Sequence, residues 1–468
     1  MAGQDSPRGP QGEAPAFAQR SSTKIERTIS DQARRTGVAN ILPDPVRTDC
    51  DRGWNTTHAS SSASAMSFRV AVIGPACPAE FAAYFDGADA ERLAKLPGLG
   101  GQPVNALVHA LLAAGISVDL ITLDRQLDPL QLHTAVAIES PALSVFVAPY
   151  RTRARIRAAD AFRAERQAIE AALARSSADI LHAHWTYEFA LPAVSSRRPH
   201  LVTAHDAPLT VLHMLPDPYR AVRAVLAARV GAAAEAMTAV SPSLATRLHR
   251  QMFYRGEVSV IPNIVPEQVP RVGVLAGGPV LSVGSDSSLK NIRKLVRAFA
   301  LVRRHRPASR LQLVGPGLGT GHDLHLWARQ GGLATGVEFL GVRAHHEVLQ
   351  LMATASVLCH PSREESFGMT VAEAMSLGVP IVAGRRSGAM PWMLNEGAGG
   401  VLVDVESTKA LAAGIMEVLT EERDTDRRAQ HSVERVRAFS AQNVVDAYST
   451  IYSHILAGHS RSKTARVA

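Results

Sequence analysis

Residues 357–383 read VLCHPSREESFGMTVAEAMSLGVPIVA, and the reading of this stretch decides the fold. An apolar run (Val357 to Cys359), a polar loop, a short helical pattern and a second apolar run (Pro380 to Ala383) predict strand, loop, helix and strand in a parallel sheet. The helix is expected to begin at Met369 or Thr370 and to stop at Gly378, a residue that tolerates the left-handed conformation closing a helix, with Pro380 beyond it. Free N–H groups at its start, and the helix dipole, suit an anion, most commonly phosphate. Glu365 in the loop and Glu373 in the first turns flank that start with seven residues between them. A carboxylate beside a phosphate is unfavourable unless it has another task, and accepting hydrogen bonds from sugar hydroxyls is one. Phosphate plus hydroxyls points to a sugar nucleotide. Taken by themselves, the two glutamates read equally well as solvated charges, because Glu is favoured at helix starts.

Glu365, the Phe367-Gly368 pair two residues on, and Glu373 form a pattern that resembles the motif of the retaining glycosyltransferases of family 4, with the GT-B fold. The resemblance runs from about residue 67 to 455. It implies an α/β protein of two Rossmann-like, doubly wound domains facing a cleft. The expected divisions are a disordered leader (1–66), an acceptor domain (67–265), a nucleotide-sugar domain (266–439), a bridging helix (440–457) that packs back on the first domain, and a flexible tail (458–468).

Composition bounds the function classes. A chain of 468 residues with 46% hydrophobic residues can supply cores for two or three domains. No apolar run approaches the roughly 18 to 20 residues that cross a bilayer, and the N-terminus lacks a signal-peptide core, so a soluble cytoplasmic protein is expected. Cys50, Cys77 and Cys359 have no metal-ligand spacing and are too few for a disulfide framework. The net charge of +8 suits an anionic partner such as a nucleotide, anionic lipid or nucleic acid. Zinc-finger spacing, a basic zipper and Arg-Gly interleaving are all missing, which places nucleic acid last.

Residues 1–66, rich in Ser, Gln, Arg, Asp, Gly and Pro, lack apolar periodicity. Phe68 to Gly74 then reads as a buried strand, Gly98, Gly100 and Gly101 as a glycine-rich turn, Val104 to Ala114 as a helix and Ser117 to Leu123 as the next strand. In this βαβ unit the glycines either make a tight turn or let backbone amides approach a phosphate or acceptor. The family resemblance implies the second role for Gly100 and Gly101. Arg151, Arg153, Arg155 and Arg157 lead into an Ala-rich helix, and Tyr219, Arg220, Arg223 and Arg229 repeat the theme. They read as a solvated face or as a contact with an anionic membrane, which would hold the protein at the inner face of the plasma membrane.

Asp179 to Trp185 and Pro199 to Asp206 are strands with polar carboxyl ends, where open α/β sheets bind ligands. His182, His184 and His205 lie there without metal-motif spacing, so no metal is assigned. His205 matches the family position whose imidazole approaches the donor sugar; a histidine satisfied by backbone groups is the plainer reading. In the second domain Val280 to Gly284 is a strand followed by Lys290, six residues after the glycine. Relatives carry an Arg directly after that glycine and the Lys further on, both clamping the donor diphosphate. Lys290 fits the second position, or is a surface lysine, while Ser285 occupies the first. The loss of a fixed cation there weakens stabilisation of the departing diphosphate, unless Arg293 or Lys294 compensates. Near Gly388, relatives continue to Pro-Glu, whereas Pro391 is followed here by Trp392.

The resemblance implies transfer of a hexose from a nucleotide-diphosphate sugar to a glycan or lipid-linked hydroxyl acceptor, with retention and without a metal or other cofactor. Glu373 would hold the ribose hydroxyls, Glu365 the sugar hydroxyls, Lys290 the leaving diphosphate, and amides at Gly368, Met369 and Thr370 the phosphates or sugar. His205 would close over the sugar from the other domain. The rivals are a catalytically degenerate sugar-nucleotide binding subunit, an epimerase of the same fold, and a retaining glycosidase, whose paired carboxylates need no phosphate cradle.

Overall fold

Two sheets, one per domain, set the architecture of the computed structural model, which describes residues 38–40, 68–128, 136–271, 273, 275 and 277–467. The first sheet comprises β1 (Val38–Asn40), β2 (Arg69–Ile73), β3 (Ser117–Asp124), β4 (Val136–Ile138), β5 (Leu143–Pro149), β6 (Ile180–His184), β7 (His200–Ala204), β8 (Ala236–Ala239) and β9 (Val258–Val260). Their spatial order is β1-β9-β8-β7-β6-β2-β3-β5-β4, and only β4 runs antiparallel to its neighbour. The second sheet comprises β10 (Val280–Val283), β11 (Leu311–Val314), β12 (Val337–Gly341), β13 (Val357–His360), β14 (Ile381–Gly384) and β15 (Val401–Val403), in the order β12-β11-β10-β13-β14-β15, all parallel. The central strands are buried along their whole length because helices cover both faces of a parallel sheet.

Strand order reverses between β2 and β6 in the first sheet and between β10 and β13 in the second. At such a switch point adjacent connections leave to opposite faces, and a crevice opens beyond the carboxyl ends of the strands. Both expected site loops lie there. The helices that bear on them are α1 (Gln102–Ala113), α2 (Ala154–Ala159), α3 (Arg163–Arg175), α4 (Pro218–Ala233), α5 (Pro242–Gln251), α6 (Ile292–His305), α7 (Met369–Ser376) and α8 (Ala441–Val467). α1 buries Val104, Leu107, Val108 and Leu111, the i, i+3, i+4, i+7 stripe of an amphipathic helix. Among the described residues no helix is long and apolar enough to cross a membrane.

The chain crosses between domains twice, and the crossings lie side by side, for Val265 N donates to the carbonyl of Phe439 at 3.0 Å. After the second crossing α8 inserts Val444, Val445, Tyr448, Tyr452 and Ile455 into the core of the first domain beside Val104 and Leu107. On the other side of the crossing, Trp392 packs on Phe439 with ring centroids 5.4 Å apart, and Phe367 packs on the same ring at 5.6 Å. Trp392 therefore packs on the second-domain side, against the residue at which the chain crosses back.

Val38–Asn40, within the leader, pair in parallel with Val258–Val260 as an edge strand; Cys50 and the rest of 1–66 lie outside the described residues. From residue 458 the chain continues α8 to Val467. One expectation is corrected: the first basic run is not a uniformly solvated face. Arg151 pairs with Asp160 at 2.8 Å and with buried Glu165 at 2.5 Å, and Arg157 is buried with its guanidinium 4.2 Å over the Tyr150 ring. Arg153 and Arg155 remain exposed.

Candidate active site

The second-domain half of the site is built on the carboxyl ends of β10 and β13. Gly368 N-caps α7 with φ 95°, a left-handed backbone that favours glycine. Val371 and Ala372 donate their N–H groups back to the Gly368 carbonyl at 2.9 and 3.1 Å. Met369 and Thr370 thus supply first-turn N–H groups that no helical carbonyl can reach, pointing out of the sheet edge.

Glu365 is nearly buried, with 12% of its side chain exposed, and its Oε1 accepts from His360 Nε2 at 2.8 Å and from Lys290 Nζ. Burial alone would raise its pKa, but the His360 and Lys290 partners outweigh it and hold the carboxyl well below the usual range. The main chain is fixed as firmly. Ala389 N donates to the Glu365 carbonyl at 2.8 Å, and a Cβ on Gly388 (φ 57°) would lie 2.1 Å from that oxygen. Asn291 is buried at φ 57° and donates from Nδ2 to the carbonyls of Pro361 (3.3 Å) and Val405 (2.9 Å), which ties the Lys290 loop to the Glu365 loop. Gly315 at φ 132° passes so near Gly284 that a Cβ would come 1.8 Å from its carbonyl oxygen.

Glu373 faces the same crevice one turn further along α7. His345 Nε2 meets its Oε1 at 2.9 Å, yet burial raises the pKa of this carboxyl and the histidine only partly offsets it. The two glutamates are thereby driven apart: Glu365 is kept ionised and Glu373 is made easier to protonate.

Ser285, where a cation was sought, only donates to Ser287 Oγ at 3.2 Å. Neither neighbour replaces it. Arg293 is paired with Asp286 at 2.8 Å and lies 5.2 Å over the Trp327 ring, while Lys294 donates to the Glu406 carbonyl at 2.8 Å. Lys290 is the cation that reaches Glu365 from this loop.

The first-domain half differs in kind. Gly100 and Gly101 have φ 81° and 90°, and a Cβ on Gly101 would stand 1.8 Å from the Pro75 carbonyl oxygen, so Gly101 is needed for close packing at the start of α1, while Gly100 borders open space. His205, half-buried at the end of β7, stacks on Trp185 with ring centroids 4.3 Å apart, and its Nε2 is 2.9 Å from His184 Nδ1. His182 Nδ1 meets the Tyr452 hydroxyl at 2.6 Å and its Nε2 meets Thr203 Oγ1 at 2.7 Å. The three rings are linked to hydroxyls and to one another rather than converging on one point. Burial pushes His182 and His205 down to about 3 and His184 well below its ordinary value, so all three are neutral near pH 7.

The domains meet beside Glu365. Arg247, on α5 of the first domain, makes a two-pronged ion pair with Glu364, one prong at 2.8 Å from NH2 to Oε2. The structure brings Lys290, Glu365, Gly368, Met369, Thr370 and Glu373 to one edge of the second sheet, and Gly100, Gly101 and His205 to the matching edge of the first. Sequence reading missed His360, which looks like the last residue of a strand, and Arg247, which looks like an exposed helix position. It also missed His345 and the structural role of Asn291. The signal that could have found His360 is a histidine ending an otherwise apolar buried strand five residues before the motif glutamate.

Comparison with known proteins agrees with this geometry. Residues 278–435 match the group 1 glycosyl transferases, and residues 102–269 match glycosyltransferase family 4. N-acetyl-alpha-D-glucosaminyl L-malate synthase of Bacillus anthracis is 28% identical over 308 residues, covering 60% of this chain and 76% of that protein. D-inositol 3-phosphate glycosyltransferase of Mycolicibacterium gilvum is 31% identical over 189 residues, 40% of this chain and 42% of its own length. Among solved structures, sucrose-phosphate synthase from Thermosynechococcus elongatus superposes with a TM-score of 0.66 at 20% identity, over 84% of this chain and 100% of that one. HepE of Anabaena, solved with UDP and glucose, gives a TM-score of 0.55 at 19% identity, over 83% of this chain and 100% of that one.

Proposed function

Because the chain belongs to family 4 of the glycosyltransferases and has the GT-B fold, we propose that it is a retaining, metal-independent hexosyltransferase that moves a sugar from a nucleoside-diphosphate donor to a hydroxyl acceptor, a glycan or a lipid-linked one. The observation that carries the reading is Glu365, kept ionised between His360 and Lys290 at the mouth of α7. An ionised carboxylate accepts from sugar hydroxyls, and both of its protein contacts fall on Oε1, which leaves Oε2 for the donor. First-turn amides of α7 take the phosphates. Glu373 accepts from the ribose. Lys290 neutralises charge on the diphosphate as the glycosidic bond breaks, the electrostatic contribution such a transition state most needs. The leaving phosphate takes the proton of the acceptor hydroxyl on the same face, so no protein nucleophile is assigned. His205, neutral and stacked on Trp185, offers a hydrogen bond to the sugar without adding charge.

The acceptor is proposed to reach the site from an anionic membrane surface. Support comes from α2 and α4, which pack on each other and present exposed Arg153, Arg155 and Arg229 beside Ile156 and Val225, 46% and 57% exposed. Ser285 favours a second reading, a subunit that binds the donor without turning it over.

Thermal-shift titration with nucleoside diphosphates and sugar nucleotides, followed by turnover assays, tests the proposal. A tight ligand present at about 100 times its Kd stabilises the fold by about 2.7 kcal/mol. Binding with turnover is the expected outcome; binding without turnover in any donor and acceptor mixture selects the second reading, and no binding overturns both.

A further inference from the structure

His360 ends β13 with its side chain only 3% exposed, and its Nε2 lies 2.8 Å from Glu365 Oε1. The same oxygen also holds Lys290 Nζ. An ionised carboxylate can only accept, so His360 Nε2 carries the hydrogen of that bond. Glu365 Oε1 is thus served by two donors.

The two donors cannot have the same task once a donor sugar arrives. Lys290 sits at the end of a flexible four-carbon stem on the loop that follows β10, where the diphosphate approaches, and Ser285 contributes no charge there. A diphosphate in the crevice competes for Lys290. His360 cannot make that exchange, for its ring is packed in a buried strand end and its reach is fixed.

We propose that His360 is a positioning residue of the donor site: it keeps Glu365 oriented and ionised after Lys290 turns from that carboxylate to the diphosphate. This rests on the reading of the crevice as a sugar-nucleotide site and adds a division of labour within it. Lys290 serves the phosphates, and His360, acting through Glu365, serves the sugar. The missing cation at position 285 sharpens the need, since Lys290 has to commit fully to the diphosphate.

Sugar-dependent binding distinguishes this role from a structural one. In wild type, the sugar nucleotide is expected to bind more tightly than the matching nucleoside diphosphate, because Glu365 grips the sugar. In His360→Ala the nucleoside diphosphate should keep its affinity within about twofold, while the extra affinity of the sugar nucleotide falls at least tenfold, the scale of losing a charge-assisted hydrogen bond. The kcat should fall, and the acid limb of the kcat profile should move to higher pH, because Glu365 without His360 is easier to protonate. His360→Gln, which retains an N–H donor, should recover part of both effects. Equal weakening of both ligands, or an unmoved acid limb with unchanged sugar-dependent affinity, overturns the proposal. Should His360→Ala fail to fold, His360→Gln carries the test alone, and an unaltered pH profile and sugar-dependent affinity would then overturn it. If wild type binds no nucleoside diphosphate at all, the reading of the crevice fails before His360 is at issue.

Discussion

The two faces of the cleft handle polarity in opposite ways. On the second-domain side, Glu365 is nearly buried yet held ionised by a lysine and a histidine on one oxygen. On the first-domain side, His182 and His184 are buried and His205 half-buried, without a counter-ion among the described residues, and all three are held neutral, His182 bonded to Tyr452 and Thr203 and His184 to His205. A buried charge survives only with close partners, whereas a buried imidazole can simply release its proton. In the proposed reaction, this difference would concentrate charge where the diphosphate leaves and keep the opposing histidines neutral, so that they give hydrogen bonds without competing for it.

The comparison breaks most sharply at Glu365. Glu365→Ala removes the sugar acceptor and leaves Lys290 and His360 facing an empty place, so turnover should fall by about a thousandfold, at the upper end for the loss of one preorganised electrostatic group. Steady-state kinetics with the donor found by thermal shift measure it. Lys290→Ala should cost somewhat less, about a hundredfold in kcat, because the α7 amides still hold the phosphates. If Lys290→Ala leaves kcat intact, charge is not what this wall supplies.

Loss of sugar-nucleotide affinity on mild acidification is the next effect in size. Burial raises the Glu373 pKa while Glu365 stays low, so as pH falls Glu373 is protonated first and ribose binding weakens before sugar binding does. Titration calorimetry across pH should show affinity falling on the acid side in wild type, with the fall removed in Glu373→Gln.

The neutral wall makes a stability prediction of its own. His182 has an ordinary value of 6.5 and a folded value of about 3, so below pH 6.5 the unfolded chain takes up a proton that the fold refuses. Stability is therefore fully present above about 6.5 and declines toward pH 3, by up to about 1.4 kcal/mol per pH unit for a histidine kept neutral. Tm measured from pH 7.5 to 5 should fall less steeply in His182→Gln than in wild type. The smallest effect is expected of Ser285→Arg, which adds a cation beside the diphosphate and should raise donor affinity about two- to fivefold while leaving the first-domain wall unchanged.

What the sequence disclosed and what it hid divide along the same line. The βαβ alternation and the loop and helix positions of Glu365, Gly368 and Lys290 were legible because each belongs to a local strand, loop and helix pattern in which spacing fixes the place. Arg247 and Tyr452 were not, because their partners lie far along the chain or in the other domain; His360, whose partner Glu365 is only five residues on, was hidden as the last residue of an otherwise apolar strand. Tyr452 reads as one more apolar position on an amphipathic helix, and nothing near it in sequence announces His182, 270 residues away. The pair Arg247 and Glu364, 117 residues apart, becomes visible only when the domains face each other. The pairing of Val38–Asn40 with Val258–Val260, 220 residues on, was hidden for a related reason.

The hydrogen bond from Val265 to Phe439 stitches the outgoing and returning strands of the chain into one spine. Two covers bound along a single spine can turn about it but can neither slide nor twist freely, so opening this cleft is close to a motion in one angle. Arg247 and Glu364 pair across the two domains, so any swing that widens the cleft pulls them apart.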